Sequence, residues 1–240
     1  TGDRSTHVVG FLPGPGGARL AVTDGSTLRI LESETGTESL AMPASDPSDP
    51  SIYATALSAD ASLLAAVDRS NVQVWETATG AKRVGLSVQD VIVYAMAISP
   101  DGKRIATGAS SMGAALWDAA SGRQLVDLPG YGVSALDFSP DGKLLAVGSE
   151  DEGAFLWDPA THREVLKLEI AEKQRWSMKF SRDGSLLAVS GGGGQTVLWD
   201  VARRRRFGRL PGGGAAFSPD GKRLATCEGV RIRIWDLSNG

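Results

Sequence analysis

Three consecutive carboxylates, at residues 150–152, form the densest acidic group in the chain. Clustered carboxylates can bind calcium or exchange protons with a substrate. The side chains of adjacent residues point in different directions, however, and the glycine spacing of a calcium-binding loop is absent here. We therefore interpret this segment as a solvated acidic loop.

Nucleophilic catalysis requires a positioned base, and the only two histidines, His7 and His162, lie far apart in a sequence that has no Gly-x-Ser-x-Gly motif. The glycine-rich stretches 191–194 and 212–214 are not followed by Lys-Ser or Lys-Thr, or by a helical pattern, so they do not predict phosphate binding. The sequence therefore predicts no catalytic residue, no cofactor and no metal site.

The strongest cluster of positive charge consists of a run of four arginines and a basic pair nearer the C-terminus. Its members could bind phosphates or an acidic protein, and they are Arg203, Arg204, Arg205, Arg206, Lys222 and Arg223. The formal net charge of the chain is −3, so no general field attracts nucleic acid. We keep this basic patch as an alternative binding site and do not expect a nucleic-acid partner.

The 240 residues, 42% of them apolar, can bury a sizeable core. The longest apolar run, 91–98, is much shorter than the roughly 20 residues that span a bilayer, so no membrane segment is expected. Cys227 is the only cysteine, which excludes an internal disulfide. We expect a cytoplasmic protein in which this thiol is packed and unreactive.

Tryptophan recurs at nearly equal intervals along the chain. The five residues are separated by 42, 40, 42 and 36 positions, and they are Trp75, Trp117, Trp157, Trp199 and Trp235. A fixed period of this length is typical of repeat proteins. A turn phrase such as the Ser-Pro-Asp-Gly at 139–142 precedes each tryptophan at a similar distance. Two phrases in step indicate one repeated structural unit.

Each repeat predicts four short strands. In the repeat at 133–168 the apolar runs are four to six residues long, too short for helices. Proline and glycine at 140–142 favour a tight turn between the first two runs. His162 occupies the place of the turn glycines Gly80 and Gly122, which predicts a left-handed backbone there.

The Trp-Asp dipeptides and the Ser-Pro-Asp-Gly turns resemble the WD-repeat family over nearly the whole chain. The resemblance implies an all-β fold, a β-propeller of four-stranded antiparallel blades in which the tryptophans are structural residues packed between blades. We expect six blades in one domain over 1–240, at about 6–42, 51–86, 91–128, 132–168, 174–210 and 214–240. The family's Gly-His dipeptide is missing, because Gly130-Tyr131 stands in its place.

The register of the repeats predicts that the last blade lacks its outer strand. In this family one terminus usually supplies a strand to the blade of the other, and seven blades are common. We therefore expect the chain to be a segment of a longer polypeptide, with the missing strand or blade supplied by flanking sequence or by a partner chain.

The resemblance also implies that the first strands line a central channel with an upper mouth. One position near that mouth carries several ring-bearing side chains, and the loops of the same face hold more acids than bases. An acidic rim around aromatic residues suits a basic peptide. The predicted partner-binding residues are His7, Tyr53, Tyr94, Trp176, Arg175, Glu150 and Asp151. Packing of the aromatic side chains between blades is the competing interpretation.

These features together predict a non-catalytic scaffold that binds a partner peptide or domain on the propeller face. A sensor or regulatory module of a larger signalling or defence protein, with a separate effector domain, is the main alternative. A propeller enzyme is the third, and it would need convergent histidines, carboxylates or a metal inside the mouth.

Overall fold

The computed structural model describes residues 7–14, 17–43, 51–68, 71–88, 92–111, 113–170, 176–191 and 193–238. This part of the chain forms 23 β-strands, arranged in six antiparallel sheets. It contains no helix of the length and apolar character that crossing a bilayer requires. The expected all-β fold is confirmed.

The sheets, numbered here in chain order, are built from consecutive strands. Sheet 1 comprises β1 His7–Gly14, β2 Gly17–Thr23, β3 Thr27–Glu32 and β4 Glu38–Pro43. Sheet 2 comprises β5 Ile52–Leu57, β6 Leu63–Asp68, β7 Asn71–Glu76 and β8 Lys82–Ser87. Sheet 3 comprises β9 Val93–Ile98, β10 Arg104–Ala109, β11 Ala114–Asp118 and β12 Gln124–Leu128.

Sheet 4 comprises β13 Ala135–Phe138, β14 Leu145–Ser149, β15 Gly153–Asp158 and β16 Arg163–Leu168. Sheet 5 comprises β17 Ser177–Phe180, β18 Leu186–Ser190, β19 Gln195–Asp200 and β20 Arg205–Pro211. Sheet 6 comprises β21 Gly213–Phe217, β22 Arg223–Glu228 and β23 Arg231–Asp236. Sheet 6 therefore has three strands in the described part of the chain, which confirms the expected lack of an outer strand.

The turn between the first two strands of sheet 4 is built by one serine and one aspartate. The Ser139 hydroxyl donates to Oδ1 of Asp141 at 2.7 Å, and it accepts the backbone N–H of Leu144 at 2.9 Å. Oδ1 of Asp141 also accepts the backbone N–H of Lys143 at 3.1 Å. The same three bonds recur in the turns that begin at Ser58, Ser99, Ser181 and Ser218. The same local chemistry thus closes the first hairpin in five of the six sheets.

Among the described residues, Ala61, His162 and Arg204 are the non-glycine residues with a left-handed backbone. His162 has a φ of 56°, which confirms the prediction made from its place in the repeat. Arg204 takes the equivalent place in sheet 5, with a φ of 51°. The corresponding glycines Gly80 and Gly122 have φ values of 70° and 71°. Glycine is the residue that adopts this backbone at least cost.

Residue contacts divide the chain into two compact units. The N-terminal unit comprises residues 1–107 and 115–125, and the C-terminal unit comprises residues 108–114 and 126–240. In the N-terminal unit, Ile30 of sheet 1 packs in one buried cluster with Leu64 and Trp75 of sheet 2. In the C-terminal unit, Leu156 of sheet 4 shares a buried cluster with Trp199 of sheet 5. Each core therefore lies between successive sheets.

The tryptophan indoles differ in their hydrogen bonding. Trp117 Nε1 donates to the Thr107 hydroxyl at 2.8 Å, and Trp235 Nε1 donates to Thr226 at 3.0 Å. Sheets 4 and 5 carry Val147 and Val189 at the threonine position. Within the described residues, the buried Nε1 atoms of Trp157 and Trp199 accordingly have no hydrogen-bond partner.

One face of sheet 6 is uncovered. Ile232 and Ile234 on β23 are 71% and 70% exposed, although the equivalent Ala154 and Leu156 of sheet 4 are only 1% and 2% exposed. Cys227 lies opposite Ile232 in the strand register and is also exposed. The expectation of a packed thiol was therefore wrong, because nothing in the described part of the chain covers this face.

Candidate partner-binding surfaces

Tyr53 and Tyr94 are exposed side chains of the N-terminal unit. They lie on β5 and β9, which are in contact. Tyr53 is the extra residue of a β-bulge, because Ile52 pairs with Asp68 while Ala54 pairs with the adjacent Val67. A bulge changes the direction of the side chain at its extra residue. Two neighbouring strands therefore each carry an exposed tyrosine, and we call Tyr53 and Tyr94 the tyrosine pair.

Two of the predicted mouth residues have no described side chain. His7 begins β1, and its side chain lies outside the described residues. Arg175 also lies outside them.

Trp176, which precedes β17, is buried between sheets 4 and 5. Its Nε1 donates to the Ser149 carbonyl oxygen at 2.9 Å, and its backbone N–H donates to the Ser134 hydroxyl at 2.9 Å. Gly148 makes room for the ring, since a Cβ there would lie 2.5 Å from the Trp176 Cβ. The structure thus makes Trp176 a packing residue, and its expected role as an accessible anchor is corrected.

Another residue of the C-terminal unit presents an exposed aromatic ring. Tyr131 is 52% exposed and lies between Gly130 and Gly132, whose φ values are 109° and 62°. Its backbone N–H donates to Asp151 Oδ1 at 2.7 Å, and its carbonyl accepts the Glu150 N–H at 3.0 Å. Two loops are thereby joined. Sequence reasoning missed Tyr131, although an aromatic residue between two glycines was a usable signal.

The acidic loop has one structural carboxylate and one that faces solvent. The hydrogen bond from the buried Ser149 hydroxyl lowers the pKa of Asp151, and the N–H groups of Tyr131 and Glu152 add to this effect. Asp151 is therefore charged at neutral pH. Glu150 is exposed, whereas Glu152 pairs with Lys167 at 2.8 Å. We call Tyr131, Glu150 and Asp151 the Tyr131 surface.

The predicted basic patch is exposed in the C-terminal unit, and its arginines differ in their contacts. Arg203 pairs with Asp200 at 2.7 Å, and Arg206 Nη2 donates to the Glu169 carbonyl at 2.9 Å. Arg223 begins β22 of sheet 6, Lys222 directly precedes it, and β20 contacts β22. The structure therefore places these cations on β20 and β22 and in the turns that precede these strands.

No group of three histidine, cysteine, aspartate or glutamate side chains with metal-binding geometry occurs among the residues whose structure is described.

The WD domain, G-beta repeat model of the WD40 family matches residues 86–118, 122–158 and 170–200. No curated protein matches the chain. A chain in a crystal structure of the mitotic checkpoint complex is similar in fold, with a TM-score of 0.78 and 18% identity. The similarity covers 98% of this chain and 76% of that one. At this identity it shows the fold alone. The three matched stretches are WD40 repeats, and the six antiparallel sheets with their repeated turns have the fold of a WD40 β-propeller.

Proposed function

We propose that this protein is a non-catalytic interaction scaffold whose Tyr131 surface binds a basic segment of a partner protein. WD40 propellers generally serve as protein-interaction scaffolds, which supports the broad part of the proposal. The observation that carries the finer part is the exposed Tyr131 ring, fixed by its own backbone beside the Asp151 carboxylate.

The geometry suits recognition of arginine or lysine. A cation over a tyrosine ring gains about 0.5–1 kcal/mol at an exposed site. Glu150 and Asp151 add negative charge that speeds the encounter with a positive partner. Because hydrogen bonds already fix both loops, little conformational freedom is lost on binding.

The test uses a fluorescein-labelled decapeptide of alternating arginine and glycine and follows its anisotropy. Tyr131→Ala should raise Kd about two- to fivefold, the loss that corresponds to an exposed cation–π contact of about 0.5–1 kcal/mol, whereas Tyr131→Phe should bind like the wild type. Glu150→Lys should slow association and weaken its salt dependence.

Tyr94→Ala in the N-terminal unit is the matched control, because it also removes an exposed tyrosine. If Tyr94→Ala or Tyr53→Ala weakens binding and Tyr131→Ala does not, the tyrosine pair is the binding surface. Equal binding by all variants would remove both surfaces from consideration.

A second candidate function is a regulatory module within a larger assembly, and the uncovered face of sheet 6 favours it. We infer that a partner or another chain segment covers Ile232 and Ile234 in the working protein. Thiol labelling of Cys227 tests this, since that residue lies on the same sheet opposite Ile232. Labelling that is equally fast in cell extract and in the purified chain would contradict a cover.

We also propose a cytoplasmic location, because the single cysteine makes no disulfide and suits a reducing compartment. Fractionation of cells that express the protein checks this, and recovery outside the cytoplasm would contradict it.

A further inference from the structure

Strand β20 is the outer strand of sheet 5, and all of its charged side chains are positive. It pairs with β19 alone, so its other edge has no strand beside it in the described sheet. It contains Arg205, Arg206 and Arg209 and no acidic residue, whereas β16, the outer strand of sheet 4, mixes both signs. An unpaired edge offers backbone N–H and carbonyl groups to another extended chain.

Part of this charge has no partner to neutralise it. Arg205 and Arg209 make no ion pair within the described residues, and Arg206 bonds only to a neutral carbonyl oxygen. The pKa of Asp200 is lowered mainly by its hydrogen bonds with Arg203, and the charge of Arg205 adds to this effect. The charge that remains along β20 therefore favours negatively charged ligands.

An exposed aromatic ring lies among these arginines. Phe207 is 46% exposed and is the extra residue of a bulge, because Arg206 pairs with Trp199 while Gly208 pairs with the adjacent Leu198. In sheet 4 the extra residue is Val165, which packs against the buried core. A Cβ at Gly208 would meet no atom within 4 Å, so the backbone beside the ring is open.

We propose that the β20 edge binds an extended acidic peptide segment of a partner protein, which adds as a fifth strand to sheet 5. Its backbone pairs with the open edge, its carboxylates pair with Arg205 and Arg209, and an apolar side chain packs on Phe207. This surface does not depend on the Tyr131 surface, because the two prefer partners of opposite charge.

The arrangement favours this occupant over two others. A second copy of β20 would bring like charges together, which disfavours self-pairing. Nucleic acid has phosphates for the arginines, but its sugar-phosphate backbone cannot complete a β-ladder. Strand addition therefore uses both the charge and the open edge.

The test measures the anisotropy of a fluorescein-labelled decapeptide of alternating glutamate and valine. The double variant Arg205→Glu, Arg209→Glu should raise Kd at least tenfold. The matched control is Lys82→Glu, Arg83→Glu on β8, the outer strand of sheet 2, which changes the net charge equally at exposed cations. The control should bind within about twofold of the wild type, because its residues lie on another sheet. Circular dichroism confirms folding, and Arg205→Gln, Arg209→Gln is the milder variant if the reversal unfolds the chain.

Two further arms separate strand addition from attraction between charges. A peptide with proline in place of valine keeps its charge but loses every second backbone N–H and is held at the proline φ, so it should bind at least tenfold more weakly. Phe207→Ser should also weaken binding of the valine peptide. Equal binding of both peptides, equal losses in the β8 control, or tighter binding of a ten-nucleotide oligothymidine that needs the same arginines would each overturn the proposal.

Discussion

Trp176 and Ser149 are joined by a hydrogen bond of 2.9 Å from the indole Nε1 to the carbonyl oxygen. Ser149 ends β14 of sheet 4, while Trp176 precedes the first strand of sheet 5. The bond therefore joins sheet 4 to sheet 5. The hydroxyl of the same Ser149 accepts the backbone N–H of Tyr131. Stability and the candidate surface share this residue.

Truncation of Trp176 should be strongly destabilising. Trp176→Ala removes a buried ring and its hydrogen bond, so we expect a loss of about 3–5 kcal/mol in the free energy of unfolding. Trp176→Phe keeps most of the packing and leaves the Ser149 carbonyl without its donor, which should cost about 1–3 kcal/mol. Urea titrations measure both values. A loss below about 1 kcal/mol for Trp176→Ala would show that the ring is accessible.

Thr107 should contribute more to stability than its size suggests. Thr107→Val leaves the buried Nε1 of Trp117 without an acceptor, and we expect a loss of about 1–2 kcal/mol. The reciprocal change, Val147→Thr, offers Trp157 Nε1 the acceptor it lacks and should cost less than Thr107→Val. Thermal and urea unfolding compare the two variants. Equal losses in both would mean that the indole bond contributes nothing.

Acid should weaken the hairpin turns. The hydrogen bond from Ser139 lowers the pKa of Asp141, and hydrogen-bonded serines likewise lower the pKa of Asp60 and Asp183. A carboxyl group with a depressed folded-state pKa contributes stability above its unfolded-state value of about 3.9, and this contribution is lost as the pH falls through the folded-state value. We therefore expect the urea concentration at the midpoint of unfolding to decrease when the pH is lowered below about 4.

Asp141→Asn should flatten this acid dependence, because the amide keeps an acceptor oxygen and does not titrate. Glu34→Gln, at an exposed turn position, is the control and should keep the wild-type profile. Identical profiles for the wild type and Asp141→Asn would show that the turn carboxylate does not carry the effect.

His162 should be a site where glycine stabilises the fold. Its φ of 56° suits glycine better, and the imidazole is exposed, so His162→Gly should raise the free energy of unfolding by about 0.5–1 kcal/mol. Thr161→Gly, one residue earlier and without a positive φ, should lower it instead. Differential scanning calorimetry resolves the two signs. Destabilisation by both changes would indicate a contact of the imidazole that matters.

The repeat made the sheets predictable because their information is local. Turn serines, aspartates and glycines, together with short apolar runs, specify each hairpin within a few residues. The candidate surfaces depend on distant neighbours instead. Tyr94 and Trp176 hold the same place in the repeat, yet only Tyr94 is exposed, because Gly148 of the preceding sheet admits the indole. No pattern within one repeat contains that fact.

The fit of Gly148 to Trp176 also has a counterpart in the next pair of sheets. Ser190 of sheet 5 takes the place of Gly148, and there the following sheet presents Gly213, whose Cβ would lie 3.9 Å from that of Ser190. Between sheets 4 and 5, Gly148 thus faces the large Trp176. Between sheets 5 and 6, Ser190 faces Gly213. The sheets have similar backbones, but these two junctions need different side chains. If sheets 5 and 6 were exchanged in the sequence, Gly148 would face Gly213 in place of Trp176, and a void would remain between the sheets. The order of these sheets therefore depends on side chains that match across each junction, and not on the repeated backbone alone.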